Sequence, residues 1–401
     1  MSKLKNRYCW VILIVIFLLM FSLNFLQFQM SPFAKDLMSD LSLSDSQYSS
    51  IFTAAMFPAI FISIICGIIV DKFGIKVPIT IGLIIAGIGT ILMNIVPSFF
   101  ALFCCFFMVG VGITFINANV VKIFDRWFLP TQIALAMGIF AAAGKLSQTF
   151  GMMAGQIFPT RQSALLFSTG FVIVTIVFWL IFGKENNPMR EDAGKEKPKP
   201  VPIGKALATI MKSKNVWILS AGMLLVNGVN VATASLLQTA IVDRGGTPGK
   251  ASLVGTFFAL GGLTGSLLMP AMFGRLKNRK ILFAVVGVIT CACIVFGWKI
   301  EVTALAAAMM FIAGFLISGC LPMLMSMPIQ LPEITSEIAG TTGGFCATLQ
   351  LIGGVALPTY IITPIAHGNY DMFFWMVGGF SILFTICAFF VPIIGKSKKE
   401  A

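Results

Sequence analysis

The stretch "GIFAAAGKLSQTFG", Gly138 to Gly151, sets one lysine, Lys145, inside a long apolar run. A glycine–lysine pair after an upstream glycine is the spacing that cradles phosphate, but here it fails. Five residues separate Gly138 from Gly144, Leu146 stands where a metal-binding hydroxyl is needed, and no strand precedes the segment. The chain has a single histidine, His367, so no nucleophile–base pair of the usual kind can be assembled, and an enzyme is not expected. Eight of the nine cysteines, all but Cys9, lie well within apolar stretches, which argues against a disulfide framework. No cluster has metal-ligand spacing, and no cofactor is expected. What remains is a buried positive charge among carboxamides: Gln148, Asn24, Gln27, Asn117, Asn119, Asn227, Asn230 and Gln350. That set can bind an anion, the lysine supplying charge and the amides oriented hydrogen bonds.

Those residues sit in segments whose composition is decisive. Of 401 residues, 58% are hydrophobic and 11% charged, against about 25% charged in soluble domains. Twelve apolar runs are long enough to span a bilayer: 9–30, 47–70, 78–97, 99–121, 131–158, 164–183, 215–241, 250–274, 281–298, 303–327, 338–365 and 371–394. The first follows Lys3, Lys5 and Arg7 but exceeds a signal peptide's apolar core and lacks a small-residue cleavage site, so it is expected to be retained. The fold class is therefore all-α integral membrane, with twelve spans.

The net charge of +13 reads as topology rather than as affinity for nucleic acid. Of 28 Lys and Arg, 22 fall on the side of the termini, five (Lys35, Arg161, Arg244, Lys250, Lys299) on the other, and one is Lys145. This asymmetry places both termini in the cytoplasm. The polar, proline-containing stretch 184–214 reads as a cytoplasmic linker, with a short amphipathic piece at "GKALATIMKSK". It divides an N-terminal bundle, 1–183, from a C-terminal bundle, 215–401.

The halves look duplicated. At a constant offset of 202, Leu129, Pro130, Gly138, Gln148 and Gly151 align with Leu331, Pro332, Gly340, Gln350 and Gly353. An offset of 203 lays Asn24 and Gln27 on Asn227 and Asn230. Repeats of this kind mark secondary transporters, with substrate bound near the midplane.

The stretch "GIIVDKFGIK", Gly67 to Lys76, resembles the loop signature G-x-x-x-D-[RK]-x-G-x-[RK] of the major facilitator superfamily. Its copy after the eighth segment, "PAMFGRLKNRK", has Gly274 in place of the aspartate. "DRWFLPTQIALAMG", from Asp125, is similar to the small organic-anion branches, including oxalate–formate antiporter-like proteins, though Thr131, Gln132 and Ile133 stand where a basic residue and glycine commonly follow. The resemblance implies two pseudo-symmetric six-helix bundles, alternating access, a monomer, and a cytoplasmic latch. The latch would use Gly67, Asp71, Lys72, Gly74 and Lys76, with Arg126 or Lys122 as partner to Asp71.

Lys145 lies 14 residues from Thr131 and 13 from Phe158, roughly 20 Å from either helix end at about 1.5 Å per residue. A lysine that deep costs about 2.5–3.5 kcal/mol to insert, so it must face water or a partner. Gln148 and Gln156 share its helical face, while Gly144, Gly151 and Gly155 form a neighbouring face suited to close packing. Every Asp and Glu falls in a loop or at a segment end. An entering anion therefore supplies the counter-charge. With no buried carboxylate to carry protons, coupling is expected either by exchange for a counter-anion or by a proton on Lys145 itself. The expected function is secondary transport, antiport or symport, of a small mono- or dicarboxylate across an inner or plasma membrane. The alternative is a multidrug or lipophilic-cation exporter, which 38 Phe and 22 Met would suit.

Overall fold

In the computed structural model, residues 8–96, 98–184, 203–273, 276, 279–331, 333–334 and 338–391 are described. Their regular secondary structure is all helical, with no strand among them. The chain divides into two compact units, Met1–Lys195 and Glu196–Ala401.

The first unit holds α1 (Tyr8–Phe28), α2 (Ala34–Leu41), α3 (Asp45–Ala54), α4 (Phe57–Phe73), α5 (Lys76–Leu92), α6 (Phe99–Trp127), α7 (Pro130–Met152), α8 (Ala154–Ile157) and α9 (Arg161–Phe182). The second holds α10 (Ile203–Lys212), α11 (Lys214–Asp243), α12 (Pro248–Phe273), α13 (Lys280–Gly297), α14 (Thr303–Met325), α15 (Ala339–Ala356), α16 (Thr363–Ala366) and α17 (Tyr370–Phe390). Among the described residues, nine helical stretches are long and apolar enough to cross a membrane. The other three segments correspond to α3 with α4, to the 17-residue α5, and to α7 with α8.

Several apolar runs that read as continuous are interrupted. Pro58 opens α4. It has no N–H to offer and its ring collides with the carbonyl four residues back, Ala54, where α3 stops. Pro358 acts similarly in the eleventh segment. The α-helix gives way to a π-helix at Leu357–Ile362 before α16 resumes. The Thr363 hydroxyl donates to Pro358 O at 2.8 Å, closing a loosened turn. The fifth segment breaks at Met153, separating α7 from α8.

Helix starts follow side-chain chemistry. Ser44 with Gln47, and Thr160 with Ser163, form reciprocal capping boxes at α3 and α9, and Ser98 caps α6. Within each unit, small residues let backbones approach closely. An added Cβ at Gly89 of α5 would stand 2.7 Å from Cys105 O of α6, and at Gly261, Gly265 and Gly314 it would overlap backbone across the α12–α14 seam. Outward, Ile81, Ile84 and Ile88 on α5 and Val285, Val288 and Ile289 on α13 are exposed, an apolar surface that lipid covers.

Candidate functional site

Lys145 lies in α7, two turns before the helix ends at Met152, and is half-buried. The neighbouring hydroxyls are occupied by their own helix: Ser147 Oγ donates to Gly144 O at 2.8 Å and Thr149 Oγ1 to Lys145 O at 3.0 Å. Gln148, one turn on, is 3% exposed. Its Nε2 is fully buried and has no hydrogen-bond partner among the described residues. A buried amide N–H without a partner costs about 1–3 kcal/mol, and its polarity suits an anion. The small-residue face divides. Gly151 packs tightly, since a Cβ there would stand 2.7 Å from Phe28 Cβ and 2.9 Å from Gln29 N. Gly144 and Gly138 do not pack: nothing lies within 4 Å of a Cβ at either. The close-packing expectation for Gly144 therefore gives way to open space beside Lys145. Gln156 is exposed on α8, beyond the break at Met153, so the polar stripe ends at Gln148.

The remaining carboxamides sort by what already holds them. Gln27 Nε2 donates to Phe52 O at 2.7 Å, tying α1 to α3. Asn119 Nδ2 donates to Phe115 O at 3.0 Å, leaving its buried Oδ1, an acceptor of the wrong polarity for an anion, without a partner. Asn24 Nδ2 donates to Met20 O of its own helix at 2.8 Å. In the second unit, Asn227 Nδ2 reaches Gln350 O at 2.9 Å and Asn230 Nδ2 reaches Ser318 Oγ at 3.0 Å. Asn117 is exposed and Gln350 half-buried. Within the first unit, Gln148 is thus the deeply buried carboxamide whose donor is uncommitted.

At the Gly67–Lys76 loop, Gly74 terminates α4 with φ 83°, in the region that favours glycine. That is the physical reason for a glycine at this place in the signature. Lys72 is exposed and lies 5.3 Å from the centre of the Phe73 ring. Lys76 opens α5. Lys122 Nζ donates to Gly67 O at 3.0 Å, so this base binds a carbonyl in the last turns of α4. Arg126, half-buried, lies in the last turn of α6. The side chain of Asp71, and Gly274 altogether, lie outside the described residues.

Two features had no sequence signal. Glu333, between α14 and α15, accepts from Ser213 Oγ at 2.8 Å and from Asn215 Nδ2 at 3.0 Å at the start of α11. A small apolar pocket of about 30 Å³ is lined by Gln29, Phe33, Met93, Phe106 and Arg161 among others, and none of the anion-site candidates borders it. No group of three or more potential metal ligands occurs among the described residues.

Comparison with known proteins gives the family. The family model described as Major Facilitator Superfamily matches residues 12–358. The chain is 22% identical to the hexuronate transporter of Bacillus subtilis, over 91% of this chain and 90% of that one. It is 29% identical to the oxalate:formate antiporter of Oxalobacter formigenes over 35% and 33% of the two chains. In fold it is similar to a bacterial homolog of the human lysosomal transporter Spinster in an inward-facing, unoccupied conformation. That match has a TM-score of 0.76, 16% identity and 95% of both chains covered.

Proposed function

Because the chain belongs to the Major Facilitator Superfamily, and so is a multi-pass membrane transporter rather than an enzyme, we propose that its solute is a small organic anion. The observation that carries this is the placement of Lys145 three residues before Gln148 on α7, a cation beside a buried amide donor that has no partner among the described residues. A ligand able to engage the charge of Lys145 and satisfy the Gln148 donor must bring negative charge and hydrogen-bond acceptors together, as a carboxylate does. The relatives are consistent with this: their names specify hexuronate, oxalate and formate. Movement is by alternating access, as anion exchange or with a proton, across the cell membrane with both termini cytoplasmic. The Gly67–Lys76 loop serves as a conformational element at the cytoplasmic side.

The test is thermal stability of the purified protein against small carboxylates, inorganic anions and lipophilic cations, wild type beside Lys145→Ala. A ligand of the folded state stabilises by about 2.7 kcal/mol at a hundred times its Kd. Carboxylates are expected to raise the melting temperature of wild type by several degrees and to leave the variant unmoved. Stabilisation by lipophilic cations alone, or equal carboxylate shifts in both proteins, would overturn the reading in favour of the exporter.

A further inference from the structure

The charge inventory of the membrane interior limits what this site accepts. Across the twelve apolar segments, Lys145 is the one Lys or Arg placed away from a segment end, and no Asp or Glu is so placed. In the first unit the amide donors of Asn24, Gln27 and Asn119 are bonded to backbone carbonyls. The hydroxyls of Ser147 and Thr149 are bonded to α7 itself. Gln148 differs, with its Nε2 buried and without a partner among the described residues. It lies three residues from Lys145, so the two side chains are neighbours on the helix surface. Beside them, Gly138 and Gly144 leave unfilled space. The Gly151 contact with Phe28 and Gln29 holds this part of α7 against α1.

One ammonium and one amide N–H match the two oxygens of one carboxylate. A second carboxylate on the same molecule would enter a membrane interior that offers it no cation, and an unpaired charge is the strongest discriminator a site of this kind has. Resting on the anion reading above, we propose that the site takes one negative charge at a time: its substrate class is the monocarboxylate, Lys145 pairing the charge and Gln148 donating to the second oxygen. Gln148 is then the position that sets charge selectivity, since a cation there would create a site for two charges.

The experiment is direct binding to the full-length protein at neutral pH with three pairs of matched size: succinamate and succinate, propionate and malonate, galacturonate and galactarate. Each pair differs by one carboxylate. Wild type is expected to bind the single-charge member of at least one pair about tenfold or more tightly than its partner. Gln148→Lys is expected to reverse that preference, and Gln148→Ala to weaken the monocarboxylate with no gain for the dicarboxylate. If dicarboxylates bind wild type as well as or better than their partners while Lys145→Ala abolishes both, the anion reading stands and the single-charge inference fails. If none of the six acids binds, or if binding survives Lys145→Ala, the anion reading falls and takes this inference with it. The wild-type comparison decides the question even if Gln148→Lys does not fold.

Discussion

Gly151 and its counterpart 202 positions on, Gly353, bring the fifth span of each unit against the first. Gly151 approaches Phe28 and Gln29, and a Cβ at Gly353 would overlap the carbonyl of Leu224. Both contacts involve backbone or Cβ atoms, which cannot swing aside. Gly151→Leu and Gly353→Leu should therefore each destabilise their own unit, by about 1–3 kcal/mol for overpacking. Gly144→Ala, with nothing within 4 Å of the added methyl, should leave the melting temperature nearly unchanged. Thermal unfolding of the three variants separates packing glycines from the glycine beside the site, and equal losses in all three would refute the distinction. The repeat that pairs these glycines was legible in the sequence, and so was the charge at Lys145, because both are properties of residue type and spacing. Which amides were committed was not. The partners of Gln27, Asn119 and Asn227 are backbone carbonyls, and a carbonyl carries no mark in the residue alphabet; only packing brings it into reach.

At the scale of elements, apolar runs announced the spans while their interruptions stayed largely hidden. Pro58 and Pro358 were visible as residues, yet the runs around them remained continuous in hydropathy. The break at Met153 has no proline to signal it. The start of α11 depends on a contact equally remote in sequence, 118 and 120 residues away. Ser213 accepts from Val216 N as the helix cap and donates to Glu333, to which Asn215 also donates. Partial burial works to raise the Glu333 carboxyl, but the hydrogen bonds from Ser213 and Asn215 outweigh it and hold the group below its ordinary value. A carboxyl depressed in the folded state contributes stability that is present above its unfolded-state value and is lost as pH falls through the folded one. Glu333→Ala should thus lower stability by about 1–2 kcal/mol at neutral pH, and the gap from wild type should close as pH drops below about 4. Denaturation of both proteins as a function of pH checks this. A gap that persists or widens in acid would show that Glu333 acts through packing rather than charge.

For the whole molecule, the 22-to-5 division of basic residues makes a prediction independent of substrate. The few bases on the sparse side are held close to the protein. Arg161 pairs with Asp40 at 2.8 Å, Lys299 with Asp371, and Lys250 donates to the carbonyls of Ile300 and Glu301 at 3.0 and 2.7 Å. Arg244 lies over the Trp298 ring, 5.6 Å from its centre. Bases folded onto loop acids, carbonyls and aromatic rings suit a surface that crosses the membrane during insertion, whereas dense basic loops are retained on the cytoplasmic side. The turn between α11 and α12 is a suitable place to read orientation. Gly245 there has φ 93°, and a Cβ added to it would meet nothing within 4 Å, so an insertion disturbs little. Alkaline phosphatase inserted after Gly245 should be active, because it folds only outside the cytoplasm, and the same enzyme fused at the C-terminus should be inactive. A green fluorescent reporter at the C-terminus should give the complementary result. Phosphatase active at both positions would mean an even number of spans between them, where the twelve-span arrangement has five; active at the C-terminus alone, it would invert the molecule and move Glu333 and the Gly67–Lys76 loop to the outer surface together.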